Sequence, residues 1–257
     1  MCYYVASKLS NAEIVRIEHD FNTKLEETEV KEYFVASGFS NPKLPIVTAE
    51  GRFKNYSWGL IPHWAKDLDA AKKSRIQCLN SISEEASGKP SFRDSIKNGQ
   101  FCIVPVNGFF EWHHINNEKY PHFIYPKNDS IFLMAGLFNQ WTNKAVGDVH
   151  DTFTIMTTPA NERMEWIHNS KKRMPAILNL NNAKIWLDKG ISYEQKKKLL
   201  EPFDSELMAD HPISKLITSR KENPNSQKVL ERLDYPELAL SWVICASAIY
   251  CRVNFDQ

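Results

Sequence analysis

Two periodicities alternate along the chain. Over residues 10–28, Ile14, Ile17, Phe21 and Leu25 recur at helical spacing among charges, which predicts an amphipathic helix. Short β-rich runs follow at Tyr33–Val35, Leu44–Thr48 and Tyr56–Trp58. Residues 83–98, with Glu84 and Glu85 near the start, read as a second helix. A block of strands comes next: Phe101–Val106, His122–Tyr125, Ile131–Leu137 and Thr152–Thr157, separated by polar, turn-prone segments. Thr158-Pro159 predicts a helix start, with Thr as N-cap and Pro at the first helical position, running through Met164 and Trp166 towards His168. Further helices are predicted at 181–189 and 192–201. Strands and helices are mixed without a βαβ rhythm, so the pattern predicts an α+β domain around a curved, mainly antiparallel sheet. Residues 1–235 form that domain. Residues 236–257 form an apolar tail that reads as a last core strand, a packed helix or a partner-facing segment.

Composition narrows the classes. At 257 residues, 42% hydrophobic and 25% charged, the chain is an ordinary soluble globular protein, long enough for a sizeable core. Its 32 basic and 31 acidic residues leave a formal net charge of +1, so any nucleic-acid binding must rest on a local face. Five cysteines (Cys2, Cys78, Cys102, Cys245 and Cys251) are irregularly spaced and form no CxxC, which fits reduced thiols better than a disulfide framework or a zinc site. No signal peptide is evident, and the longest apolar run, 238–250, is too short to span a bilayer. Cytoplasm is the default location, or the nucleoid in a bacterium.

Several positions can carry chemistry. Removal of Met1 would leave Cys2 with a free α-amine beside its thiol. Both groups have reactive forms near neutral pH, and together they can close an aldehyde into a five-membered thiazolidine. Glu111, inside Gly108-Phe-Phe-Glu-Trp112, is flanked by aromatics that would desolvate it and raise its pKa. The alternative is an edge-strand carboxylate in water. His168, at a predicted helix end ahead of Lys171-Lys172-Arg173, suits proton transfer beside a phosphate, or is a cationic helix terminus that suits the dipole. Asn80 is a possible helix N-cap or a ligand-positioning amide. Trp58 and Trp64 could stack on bases or pack the core. The His113-His114 pair reads as a solvated turn. A G-x-S-x-G elbow and a Gly-rich phosphate loop are both missing.

Met1-Cys2, Trp58-Gly-Leu-Ile-Pro-His-Trp64, Asn80 with Glu84 four residues on, Val104-Pro-Val-Asn-Gly-Phe-Phe-Glu-Trp112, and Ile167-His168 leading to Arg173-Met-Pro175 occur in that order. Together they resemble the SOS-response-associated peptidase family of abasic-site shielding proteins. The resemblance runs from residue 1 to about 180, with a weaker echo at His211–Lys215. It implies a single domain with a β-barrel-like core and a groove for single-stranded DNA. It also implies that Cys2, freed by removal of Met1, self-removal included, captures an abasic sugar as a thiazolidine. Asn80 would position Cys2 and the sugar, with Glu111 and His168 as the acid/base pair. The implied partner is single-stranded DNA containing abasic sites, met by a monomer with no cofactor, metal or membrane. Lys72, Lys73, Arg75, Arg93 and Arg173 are candidates for phosphates. The family pattern Cys-Gly-Arg reads Cys2-Tyr3-Tyr4 here, and Asn-Ala-Arg reads Asn80-Ser81-Ile82, so two expected phosphate-binding arginines are replaced. Two other functions remain open: a cysteine peptidase of broader action using Cys2, His168 and Glu111, and a non-catalytic single-strand binder.

Overall fold

The computed structural model describes residues 1–238. The predicted tail falls largely beyond them, as do Cys245 and Cys251. In chain order the strands are β1 (Tyr4–Ser7), β2 (Tyr33–Ser37), β3 (Lys43–Thr48), β4 (Phe53–Trp58), β5 (Asn80–Ile82), β6 (Phe101–Val106), β7 (Gly108–Ile115), β8 (Glu118–Pro126), β9 (Phe132–Thr142), β10 (Val149–Pro159), β11 (Arg173–Pro175), β12 (Ile177–Leu178) and β13 (Met208–Pro212). The helices are α1 (Asn11–Phe21), α2 (Leu68–Gln77), α3 (Arg93–Lys97), α4 (Glu162–Ile167), α5 (Leu180–Leu187) and α6 (Tyr193–Lys197).

The expected α+β domain has a closed barrel at its centre. Strands β10, β4, β3, β6 and β9 pair in that order, and β9 pairs back to β10. All these pairings are antiparallel except β10–β4. A second, antiparallel sheet runs β13-β8-β7-β1-β2. Strand β6 shows why the barrel holds. All six of its residues are buried, and they point alternately to two cores. Cys102, Val104 and Val106 join Cys2, Val5, Phe109 and Ile124 of the second sheet. Phe101 and Ile103 meet Ile17 of α1, Ile96 of α3 and Trp186 of α5. Gly108 opens β7 because a Cβ there would collide with the Ile124 carbonyl oxygen and the Phe123 ring of β8. Among the described residues, no helix is long and apolar enough to cross a membrane.

The structure corrects several sequence expectations. The helix expected over 83–98 splits into a 3₁₀ turn at Ala86–Gly88 and α3, because Gly88-Lys89-Pro90 cannot continue a helix. Helix α1 stops at Phe21, where Asn22 turns left-handed (φ 48°), and Leu25 bridges to Phe53 instead. Pro159 is still strand. The N-cap of the next helix is Asn161, whose side chain accepts from the Met164 N–H at 2.9 Å, while the Thr158 hydroxyl donates to the Leu200 carbonyl. The helices expected at 181–189 and 192–201 are shorter, as α5 and α6.

Candidate active site

Four elements converge on the N-terminus. Strand β1 is internal to its sheet, antiparallel to β7 with Tyr4 opposite Phe110. Residues ahead of Tyr4 therefore run alongside Glu111 and Trp112. Alternation along β7 turns Phe109 and Glu111 to one face and Phe110 and Trp112 to the other. The Glu111 face is the core that holds Cys2, and its carboxyl group is buried. Strand β5 pairs in parallel with β10, Asn80 opposite Ile155, which brings the Asn80 amide against Cys2. Asn80 is thus a strand residue and caps no helix.

His168 ends α4. Its N–H donates to the Met164 carbonyl at 2.7 Å, and the chain then folds back through Lys172 (φ 50°) into β11. That turn brings the Arg173 carbonyl to 2.8 Å from His168 Nδ1. The Nδ1–H donates to it, which leaves Nε2 with the lone pair. Helix α4 is pinned to β7 by His113, whose Nδ1–H donates to the Trp166 carbonyl at 2.6 Å. Asn169 adds bonds to the His114 N–H and carbonyl. His113 is therefore a buried strut rather than part of a solvated turn.

The Asn80 amide donates to the Cys2 carbonyl at 2.8 Å. The Met1 α-amine lies 3.4 Å from His168 Nε2 and 3.5 Å from Glu111 Oε1, and His168 Nε2 is 3.6 Å from Glu111 Oε2. Burial pushes the Glu111 carboxyl up to about 7, although the nearby amine pulls the other way. Burial, aided by the amine, pushes His168 down to about 4. At neutral pH the site therefore holds a carboxyl poised near its midpoint beside an uncharged imidazole. The Cys2 thiol is fully buried and its pKa is driven far above the thiol range, first by burial and then by Glu111. It rests as a neutral S–H, 3.7 Å from the Tyr4 carbonyl. Asn80 Oδ1 and Glu111 Oε1 are buried without a hydrogen-bond partner among the described residues. A cleft of about 550 Å³ opens above these groups, lined by Met1, Tyr3, Tyr4, Glu111, Trp112, His168, Lys119 and Lys215, among others.

The other candidates lie elsewhere. Trp58 is wholly buried, stacked on Phe153 with its indole N–H on the Leu79 carbonyl, so its ring is closed to a base. Trp64 is 46% exposed but does not line the cleft. Lys72 and Lys73 are exposed on α2, Arg75 is half-buried there, and Arg93 is exposed beside Asp94. Arg173 borders the site, but both its terminal nitrogens bond Glu84, at 2.6 and 2.9 Å, and one also reaches the Thr157 carbonyl. The arginine holds the Glu84 carboxyl down to about 2. Sequence reasoning missed Tyr3, Tyr4, Trp112 and Lys119 as cleft residues. The register of β1 against β7 is the signal that brings them there.

Known proteins place this geometry in a family. The protein is 38% identical over 177 residues to the abasic site processing protein YoqW of Bacillus subtilis, covering 68% of this chain and 75% of that protein. It is 31% identical over 185 residues to the abasic site processing protein HMCES of Xenopus tropicalis, 65% of this chain and 53% of that one. A crystal structure of a Bacteroides thetaiotaomicron protein superposes with a TM-score of 0.83 at 32% identity, over 91% of this chain and all of that one. A Bordetella bronchiseptica protein shares the fold at 20% identity and a TM-score of 0.69. The SOS response associated peptidase family model matches residues 1–220, and the chain belongs to that family.

Proposed function

We propose that this protein processes abasic sites in single-stranded DNA by covalent capture on Cys2, and so shields the lesion. One observation carries the reading. The chain amine lies between a raised carboxyl and a neutral imidazole, with the next residue's carbonyl held by Asn80. Loss of Met1 moves the amine one residue along, onto the Cys2 Cα, next to the Cβ that bears the buried thiol, the spacing a five-membered ring requires. Asn80 Oδ1 and Glu111 Oε1 then offer acceptors to the new amine and to sugar hydroxyls.

An abasic sugar rests as a cyclic hemiacetal. Opening it moves a proton from the C1′ hydroxyl to the ring oxygen and exposes the aldehyde. His168 Nε2 is the base for such transfers, since it stays unprotonated above pH 4. The Cys2 amine attacks the aldehyde carbon, and the carbinolamine oxygen leaves as water with a proton from Glu111. The thiol sulfur then bonds to the imine carbon, and its proton ends on nitrogen. The net change is aldehyde plus aminothiol to thiazolidine plus water, with no redox partner. Burial keeps the sulfur as S–H until the imine is in place.

The test is intact mass and denaturing gels after mixing with an abasic single-stranded oligonucleotide. A heat-stable adduct that loses one water, absent in Cys2→Ser with non-covalent binding retained, supports the proposal. A serine variant that crosslinks as stably as the parent sinks it. Cleavage of an unrelated peptide would point to a broader peptidase, and salt-reversible binding alone to a passive single-strand binder.

A further inference from the structure

The rings beside the site form a continuous strip. Tyr3 and Phe39 have centroids 5.1 Å apart, Phe39 and Tyr4 6.3 Å, and Tyr4 and Trp112 5.2 Å. Tyr3, Tyr4 and Trp112 line the same cleft as Glu111 and His168. Phe39 extends the strip outward and is 51% exposed. It sits on a tight 3₁₀ turn, Gly38–Ser40, which ends at left-handed Asn41 (φ 49°). The Gly38 N–H donates to the Tyr3 carbonyl at 2.8 Å, so the turn is tied to the strand that carries the nucleophile. The rings meet tilted or edge-to-face, at 33°, 63° and 66°, so neighbouring rings do not fully cover each other's faces.

Cations near the cleft are mostly engaged. Lys215 pairs with Glu118 at 2.6 Å, Arg173 with Glu84, and Arg163 with Asp210 at 2.6 Å. Lys119 is the cleft lysine with no ion pair among the described residues. Apart from Lys119 and Lys171, which is exposed close to His168, a strand crossing here meets few free charges and many rings. Unpaired bases stack on aromatic side chains whatever their sequence, because every base has a π-face.

We infer that Tyr3, Phe39, Tyr4 and Trp112 form a stacking platform for the unpaired bases flanking the reacting sugar, and that this strip, more than phosphate contacts, holds the strand. The inference rests on the capture reading for the position of the sugar, yet it is read by binding alone.

The probe is a fluorescent single-stranded oligonucleotide with a central tetrahydrofuran residue, which cannot form an imine. One version carries natural bases on both sides of it. The other carries further tetrahydrofuran residues there, with the phosphates unchanged. The protein should bind the base-flanked strand about 5- to 100-fold more tightly. Phe39→Ala and Tyr4→Ala should each cost about fivefold or more on that strand, leave the base-free strand unchanged, and leave the salt slope as it was. Phe39→Tyr should restore the preference. A folding defect would weaken both strands together and move the thermal midpoint; Phe39, being exposed, should show neither. Equal affinity for the two strands, failure to bind either, or alanine variants within twofold of the parent overturns the platform. Adduct formation is scored separately with a true abasic oligonucleotide. A base preference without an adduct sinks the capture reading and leaves the platform standing; an adduct without a base preference does the reverse.

Discussion

The buried Glu111–His168 pair makes a prediction about stability that needs no substrate. Folding raises the Glu111 carboxyl from 4.5 to about 7. A rise of about 2.5 pH units corresponds to about 3 kcal/mol. The folded protein binds this proton more tightly than the unfolded chain does. Its contribution is therefore complete below pH 4.5, is lost as the pH climbs to 7, and is flat above. Folding lowers His168 from 6.5 to about 4, with the opposite sign and similar size. That contribution is complete above pH 6.5 and is lost as the pH falls to 4. Between pH 4.5 and 6.5 the two slopes nearly cancel in the parent. Glu111→Gln keeps the shape of the side chain and removes one slope. Relative to the parent, it should gain about 3 kcal/mol between pH 4.5 and 7. His168→Gln should gain a similar amount relative to the parent as the pH falls from 6.5 to 4. Urea unfolding of Met1-bearing protein at half-unit steps across pH 4–8 measures both, and subtracting the parent removes every other titrating group. A Glu111→Gln difference constant to about 0.5 kcal/mol over that range would mean that the carboxyl titrates like a solvated one. The desolvation argument would then be wrong.

Glu111→Gln should slow adduct formation with an abasic strand by about 10²–10⁴, and His168→Ala should do similarly, with the double variant less than additive. Crosslinking rates across pH 5–9 decide this, and both single variants within threefold of the parent at every pH would dismiss the relay. Protein that wholly retains Met1 should form no adduct, and active protein should show Cys2 as its first residue by mass; activity with Met1 in place would overturn the mechanism. With Arg173 and Lys215 already paired, the slope of log affinity against log salt should be shallow, at about −0.7 per phosphate contact. A slope equivalent to about eight contacts would reveal a basic face elsewhere.

The chain's own pattern determined much of this protein. The apolar run Phe101–Val106 read as a strand, and it is the barrel strand β6, which the fold buries on both faces. The run around Glu111 left open a desolvated carboxyl or one in water, and the fold chose burial, because alternation along β7 turns Glu111 with Phe109 towards the core. The helix before His168 was legible, although its cap lies three residues further on, at Asn161 rather than Thr158; Thr158 and Pro159 suit a strand end as well as a helix start. Other features depended on tertiary structure. Pairing β10 in parallel with β4 and β5, and inserting β1 between β2 and β7, are long-range pairings with no local signature. Those pairings bring residues 2, 80, 111 and 168 to one point. They also settled ambiguities of type. Trp58 became core and Phe39 an exposed ring, and Arg173 became the partner of Glu84 rather than a free cation. Residue identity offers both roles in each case, and only the neighbours that the fold supplies choose between them.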